Sequence, residues 1–274
     1  MRFSFLFILI LFSCAQKDVR VLDKPMALKA EDSIKMDSYK NRAFEYDVYS
    51  QERQKYLDSA LLIMPDDAFL WQQKAMPLYK ARKYSLGKPF LEKAVLHNQK
   101  RYLDYSAFMK CIFSKEYEES IAEFMLMKEL YGDSYVMDHT YNFYIALNYL
   151  QLNKFKDAKA FLLKSKAQQF ADFPENPPEE SCHFLDWFYL GIVDYELGNY
   201  EEAIKSFDMS LVVYTNFGDA MNYKARCYYK IGKNEKALEW MNLAYENRFN
   251  TINEDNVYYE IYPYQVYHRL LIRD

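Results

Sequence analysis

Along this chain one pair of residues keeps returning. Segments patterned as helices open on Tyr84, Tyr117, Phe155, Tyr200 and Asn234, and three residues later stand Gly87, Ser120, Ala158, Ala203 and Ala237. A shift of 34 residues carries Gly198, Ala203, Phe207 and Ser210 onto Gly232, Ala237, Met241 and Ala244, and Ala60 onto Ala94. Self-similarity at such a period marks an array of like units, none able to bury its apolar face alone. Two antiparallel helices joined by a short turn approach closely only where the side chains at their crossing are small. The same need accounts for Gly191, which lies inside a helical pattern although glycine there costs about 1 kcal/mol relative to alanine. With Ala75, Ala146 and Ala225 it is expected to clear the first helix of each pair, facing the small column of the second. Gly198 and Asn199 then supply the turn.

Trp187, Leu190, Gly191, Tyr200, Ala203 and Phe207 fall at the spacing W-x2-L-G followed by A-x3-F, which resembles the tetratricopeptide repeat. The resemblance implies an all-α fold, an α-solenoid of about six helix pairs in a right-handed superhelix, closed by a C-terminal capping helix. The units run over 33–66, 67–100, 101–134, 139–172, 184–217 and 218–251, with a cap over 252–274. The step between the fourth and fifth is 45 residues, and the excess forms a predicted loop over about 170–183, where Pro174, Pro177 and Pro178 stop the helix. Only 6 glycines in 274 residues also argue against a turn-rich β fold. Three departures stand out. Asp194 takes a position usually held by tyrosine. Pro77 falls inside a first helix and predicts a kink. Phe108 stands where a small residue is expected and Ala107 precedes it, so the third unit is expected to run out by one residue.

The chain opens on Arg2 and an apolar run from Phe3 to Phe12, too short for a membrane-spanning helix, which needs roughly 20 residues. It reads as a secretory signal over 1–13. "LFSC" resembles the lipobox of bacterial lipoproteins, which implies cleavage before Cys14 and lipidation of that cysteine. Several acyl chains at about 0.8 kcal/mol per buried methylene hold a protein on a membrane. Residues 14–32 then form a tether. The expected address is the bacterial cell envelope, anchored by lipid and at the outer membrane. With Arg2 removed, 34 basic and 39 acidic side chains remain, a net charge of −5. Nothing in that balance supports a phosphate-tracking surface, so no nucleic-acid partner is expected.

The family's use of its concave face implies a groove that binds a protein or peptide partner, an amphipathic helix or an apolar segment. Carried across position by position, the groove residues are Phe143, Leu147 and Leu150 in the fourth unit and Phe188, Ile192 and Tyr195 in the fifth. Tyr105, Met109 and Phe113 follow in the third, and Arg226 and Lys230 at one end would steer an acidic segment. Alternatively the molecule could cover this face itself, with the tail from Asn253 or the proline loop. Enzymatic motifs are missing: His97, His139, His183 and His268 read as scattered, without a metal-ligand partner at helical spacing, so neither metal nor cofactor is expected. Cys111 and Cys227 read as buried hydrophobes and Cys182, in the loop, as the reactive thiol. The function expected is a non-enzymatic scaffold or assembly adaptor. A surface glycan-binding lipoprotein, using some of the 27 tyrosines as stacking platforms, is the alternative.

Overall fold

A computed structural model describes residues 29–252 and 261–266. The signal segment, Cys14 and most of the tether lie outside the described residues. Six helix pairs follow one another: α1 (Ala30–Phe44) with α2 (Gln51–Ile63), α3 (Ala68–Lys80) with α4 (Tyr84–His97), and α5 (Gln99–Met109) with α6 (Tyr117–Tyr131). Then come α7 (Tyr141–Gln151) with α8 (Phe155–Asp172), α10 (Phe184–Glu196) with α11 (Tyr200–Val213), and α12 (Gly218–Lys230) with α13 (Asn234–Glu246). A four-residue helix, α9 (Pro178–Ser181), lies in the insertion. A two-stranded hairpin, β1 (Tyr135–Val136) against β2 (His139–Thr140), joins the third pair to the fourth. The helices begin where side chains can take the free amides of a first turn. Ser50, Asp67, Asn98 and Thr140 accept from Arg53, Leu70, Arg101 and Phe143 respectively.

The turn inside each of the last five pairs has a common backbone form. Two residues before each second helix stand Arg82, Lys115, Asn153, Gly198 and Gly232, and all five have φ between 57° and 79°. The amide that follows closes back on a carbonyl five residues earlier, as in Lys83 to Leu78, Asn199 to Asp194 and Lys233 to Tyr228, the bonding of a Schellman cap. In the third unit the same bond, Glu116 to Lys110, spans six. The extra residue is absorbed by a π-helical turn, Lys110–Ser114. This realises the one-residue offset: Ala107, not Phe108, meets the second helix, where Ser120 Oγ donates to its carbonyl at 2.7 Å. α3 continues through Pro77 to Lys80.

Gly191 does clear space, but for a different neighbour from the one expected. A Cβ there would lie 2.5–2.8 Å from three ring atoms of Phe207, and one at Gly87 would lie 2.7 Å from the ring of Tyr79. Each of these two glycines therefore admits an aromatic ring from the opposite helix, whereas in the third unit the small residues Ala107 and Ser120 do meet. Asp194, in the tyrosine position, is buried and accepts from Lys159 Nζ at 2.6 Å and Asn199 Nδ2 at 3.1 Å, tying α8 to α10. A further periodicity links the second and last pairs. Lys74 lies between Asp58 and the ring of Phe90, and Lys224 between Asp208 and the ring of Trp240, with the same 16-residue steps on each side. One core runs from Ala75 to Ile252 and Tyr262, and a smaller one built on Leu57, Ala60 and Leu70 serves the first pair. Among the described residues no helix is long and apolar enough to cross a membrane.

Candidate functional site

First helices of neighbouring units touch side by side, α7 with α10 and α10 with α12. Rings fill the space between them: Phe143 meets Tyr189 at 5.7 Å, and Phe188 meets Phe217 at 5.1 Å and Tyr223 at 5.8 Å. Phe143, Leu147, Leu150, Phe188 and Ile192, read from the sequence as an open apolar wall, are at most 1% exposed. In the third unit Met109 and Phe113 are likewise buried. These side chains are core, because neighbouring units stack closely enough for each row of first-helix residues to be covered by the next. Of the expected groove residues, Tyr195 stays half-buried and Arg226 and Lys230 are exposed. Arg226 Nε donates to Asn222 Oδ1 at 2.8 Å and its guanidinium lies 4.8 Å from the Tyr223 ring centre. The packing residues Ala158, Ala203, Ala237 and Gly191 are buried and Trp187 half-buried.

What occupies the face above them is the chain itself. Residues 261–266 run there without helix, where a capping helix was expected; the rest of the tail lies outside the described residues. Tyr189 Oη on α10 donates to the Pro263 carbonyl at 2.9 Å, and Lys115 Nζ, in the turn before α6, donates to the Ile261 carbonyl at 2.5 Å. The Tyr264 ring lies 6.0 Å from that of Tyr223 on α12. Asp219, at the start of α12, takes both ends of the excursion: one oxygen accepts from the Ile252 amide and the other from the Val266 amide, each at 3.1 Å. Three units thus hold one short non-helical segment that turns at Pro263 and Tyr264, largely by its backbone. No sequence signal marks Lys115, Tyr189 or Asp219 for this task, since their partners are distant in the chain.

Burial pushes the Asp219 carboxyl up to about 7, outweighing the two amides that favour its charged form. Undocking returns it to water and towards the usual range near ~4. The docked state then holds the proton more tightly, so docking is strongest below about pH 4 and weakens as pH rises towards 7. The Val266 amide, followed by NMR across that range, should report progressive release, and Asp219→Asn should flatten the profile.

Tyr79, Tyr141, Tyr144 and Tyr189 are buried in the core and offer no face to a sugar. Cys182, expected to be reactive, is 2% exposed and its thiol is pushed up by burial, so the thiolate a nucleophile needs is disfavoured. Two histidines are not scattered. His139, His183 and Asp186 each bring one ligand-type atom to within 4.8 Å of the others; His183 and Asp186 are three apart on a helix start, the signal that sequence reading passed over.

Paired helices, Schellman turns at a fixed offset and small residues seating opposite rings define a tetratricopeptide-type α-solenoid. Solved structures agree. PilW, a widely conserved type IV pilus biogenesis factor, matches with a TM-score of 0.60 at 16% identity over 84% of this chain and 99% of its own. A tetratricopeptide repeat protein from Parabacteroides merdae gives 0.61 at 13% identity over 78% and 80%. PilF of Pseudomonas aeruginosa gives 0.54 at 16% over 77% and 90%. No protein-family model matches the sequence, and no curated protein does.

Proposed function

We propose that this chain is a non-enzymatic adaptor of the bacterial cell envelope, whose concave face receives a non-helical segment of a protein partner in the place its own tail holds. The seating of residues 261–266 by Tyr189, Lys115 and Asp219 carries this reading, because these side chains bond two backbone carbonyls and one backbone amide of a non-helical segment. Binding of this kind draws affinity from main-chain hydrogen bonds and selectivity from side-chain contacts. Tyr195, Arg226 and Lys230 lie at the accessible end and favour a partner with an acidic flank. The buried wall of Phe143, Leu147, Leu150, Phe188 and Ile192 acts from behind, holding the binding helices in register. Lipidation at Cys14 and a tether over 14–32 place the array near the outer membrane. PilW, which shares the fold, is a type IV pilus biogenesis factor, and an assembly role of that general kind fits an anchored array.

A chain ending at residue 252 should bind a labelled peptide spanning 258–268, whereas the full chain, its face filled, should bind that peptide at least ~100-fold more weakly by the effective-concentration argument. In membranes, crosslinks from Lys115 and Lys230 to a partner should be competed by the same peptide. Equal and negligible peptide binding by both folded chains would remove the reading, and peptide binding without competition for the crosslinks would move the partner to another face.

A further inference from the structure

Where the insertion after α8 turns back, the hairpin and the start of α10 meet at one rim of the solenoid. Met137 and Asp138 both have positive φ, the two-residue hairpin turn that matches strand twist, and this delivers His139 on β2. His183 precedes α10 and Asp186 lies in its first turn. The His139 ring stacks on Phe143 at 4.1 Å and 15°, and meets the His183 ring edge-on at 4.6 Å and 80°. One oxygen of Asp186 accepts from Ser165 Oγ at 2.5 Å. The other oxygen, and Nδ1 of His139, are buried with no hydrogen-bond partner among the described residues, in side chains 1% and 7% exposed. Lys166, whose charge is felt at Asp186, has its Nζ 4.1 Å from the ring centre of Trp187.

Buried polar atoms are rarely left unpaired, and each exception calls for a ligand, a water or a reason. Here two such atoms belong to a group whose donor atoms converge. We propose that His139, His183 and Asp186 bind a divalent first-row transition ion of the zinc class, as two imidazole nitrogens and one carboxylate oxygen. The donor set selects the class: calcium and magnesium favour oxygen throughout, while mixed imidazole and carboxylate sites suit zinc and its neighbours. A closed tetrahedral site needs a fourth donor. His183 lines an open cavity of about 800 Å³ together with Asp138, Glu179 and Glu180, so water or a donor from a bound molecule reaches the ion from that side. The bound ion pins the hairpin of the fourth unit to the first helix of the fifth, across the insertion where the repeat spacing is broken.

The site makes one further demand. Nδ1 of His183 accepts the Leu185 amide at 3.1 Å. An ion on that nitrogen takes its lone pair, and an ion on Nε2 moves the ring proton to Nδ1; in both cases the Leu185 amide loses its acceptor.

The test uses the full chain, stripped with a chelator and titrated with Zn²⁺ by calorimetry and with Co²⁺ by visible absorption. One ion per chain is expected, with cobalt bands of a four- or five-coordinate nitrogen-containing site and faster hydrogen exchange at Leu185. His139→Phe keeps the ring stack, removes one donor and should weaken binding by about 100-fold or more. Asp186→Asn, which retains an acceptor for Ser165, is read in the same way if the first variant does not fold. Less than one ion per chain at submillimolar metal, equal affinity in native protein and a folded variant, or binding that leaves Leu185 unchanged would each overturn the assignment. The three donors are not among the residues that bond the tail, so either result leaves the adaptor reading as it was.

Discussion

Phe188→Ala is expected to lower the free energy of unfolding by about 3–5 kcal/mol, the range for truncating a fully enclosed phenylalanine. Phe188 has no exposed surface, and its ring sits 5.8 Å from Phe207, 5.1 Å from Phe217 and 5.8 Å from Tyr223. Those rings come from α10, α11 and α12 and the loop between the last two, so the cavity opens where the fifth and sixth units join. The surroundings cannot collapse into it without moving α12, which also carries Asp219 and hence the tail. Urea unfolding should therefore show a lower midpoint, and tail contacts should weaken with it. Arg226→Ala, on the accessible end, should change stability by less than about 1 kcal/mol. If Phe188→Ala were tolerated at that level while partner capture disappeared, the phenylalanine would be a contact surface and not core.

Gly191→Ala should also destabilise, by about 1–3 kcal/mol, although alanine is the better helix former by about 1 kcal/mol. The added methyl would sit 2.5–2.8 Å from the Phe207 ring. Phe207 is itself fully buried, flanked by Phe188 at 5.8 Å and Tyr223 at 6.2 Å, so the ring has nowhere to retreat. The test is a double-mutant cycle. Phe207→Leu, which removes the rigid ring edge, should cost stability in the native background and much less beside Gly191→Ala, giving a coupling of about 1 kcal/mol or more. Simple additivity would mean that Gly191 is retained for another reason.

Both predictions act on features that were partly readable beforehand. The columns headed by Tyr84 and Gly87 could be found because each spacing is local, set by the helical period and by a turn of constant length. Even Ala107 before Phe108 betrayed the offset in the third unit, and the π-helical turn at Lys110–Ser114 realises it. Which partner each small residue admits was less legible: Gly191 serves Phe207, whereas the expectation set it against the small column. Placing residues on a helix face indicates which way they point, but not how closely the next helix approaches.

Sequence by itself determined the repeat and the class of fold, because a repeat array is built from contacts between near neighbours in the chain. Tertiary structure decided what those units do with their shared face. Tyr189 reaches Pro263 across 74 residues and Lys115 reaches Ile261 across 146. His139 likewise meets His183 only because a hairpin and a proline-rich insertion fold back to the same rim. Periodicity records which residues lie on one side of a helix. Burial of Phe143 and Phe188, docking of the tail at Asp219, and convergence of two histidines on one carboxylate all depend on how separate elements close over one another, a geometry that no local pattern encodes.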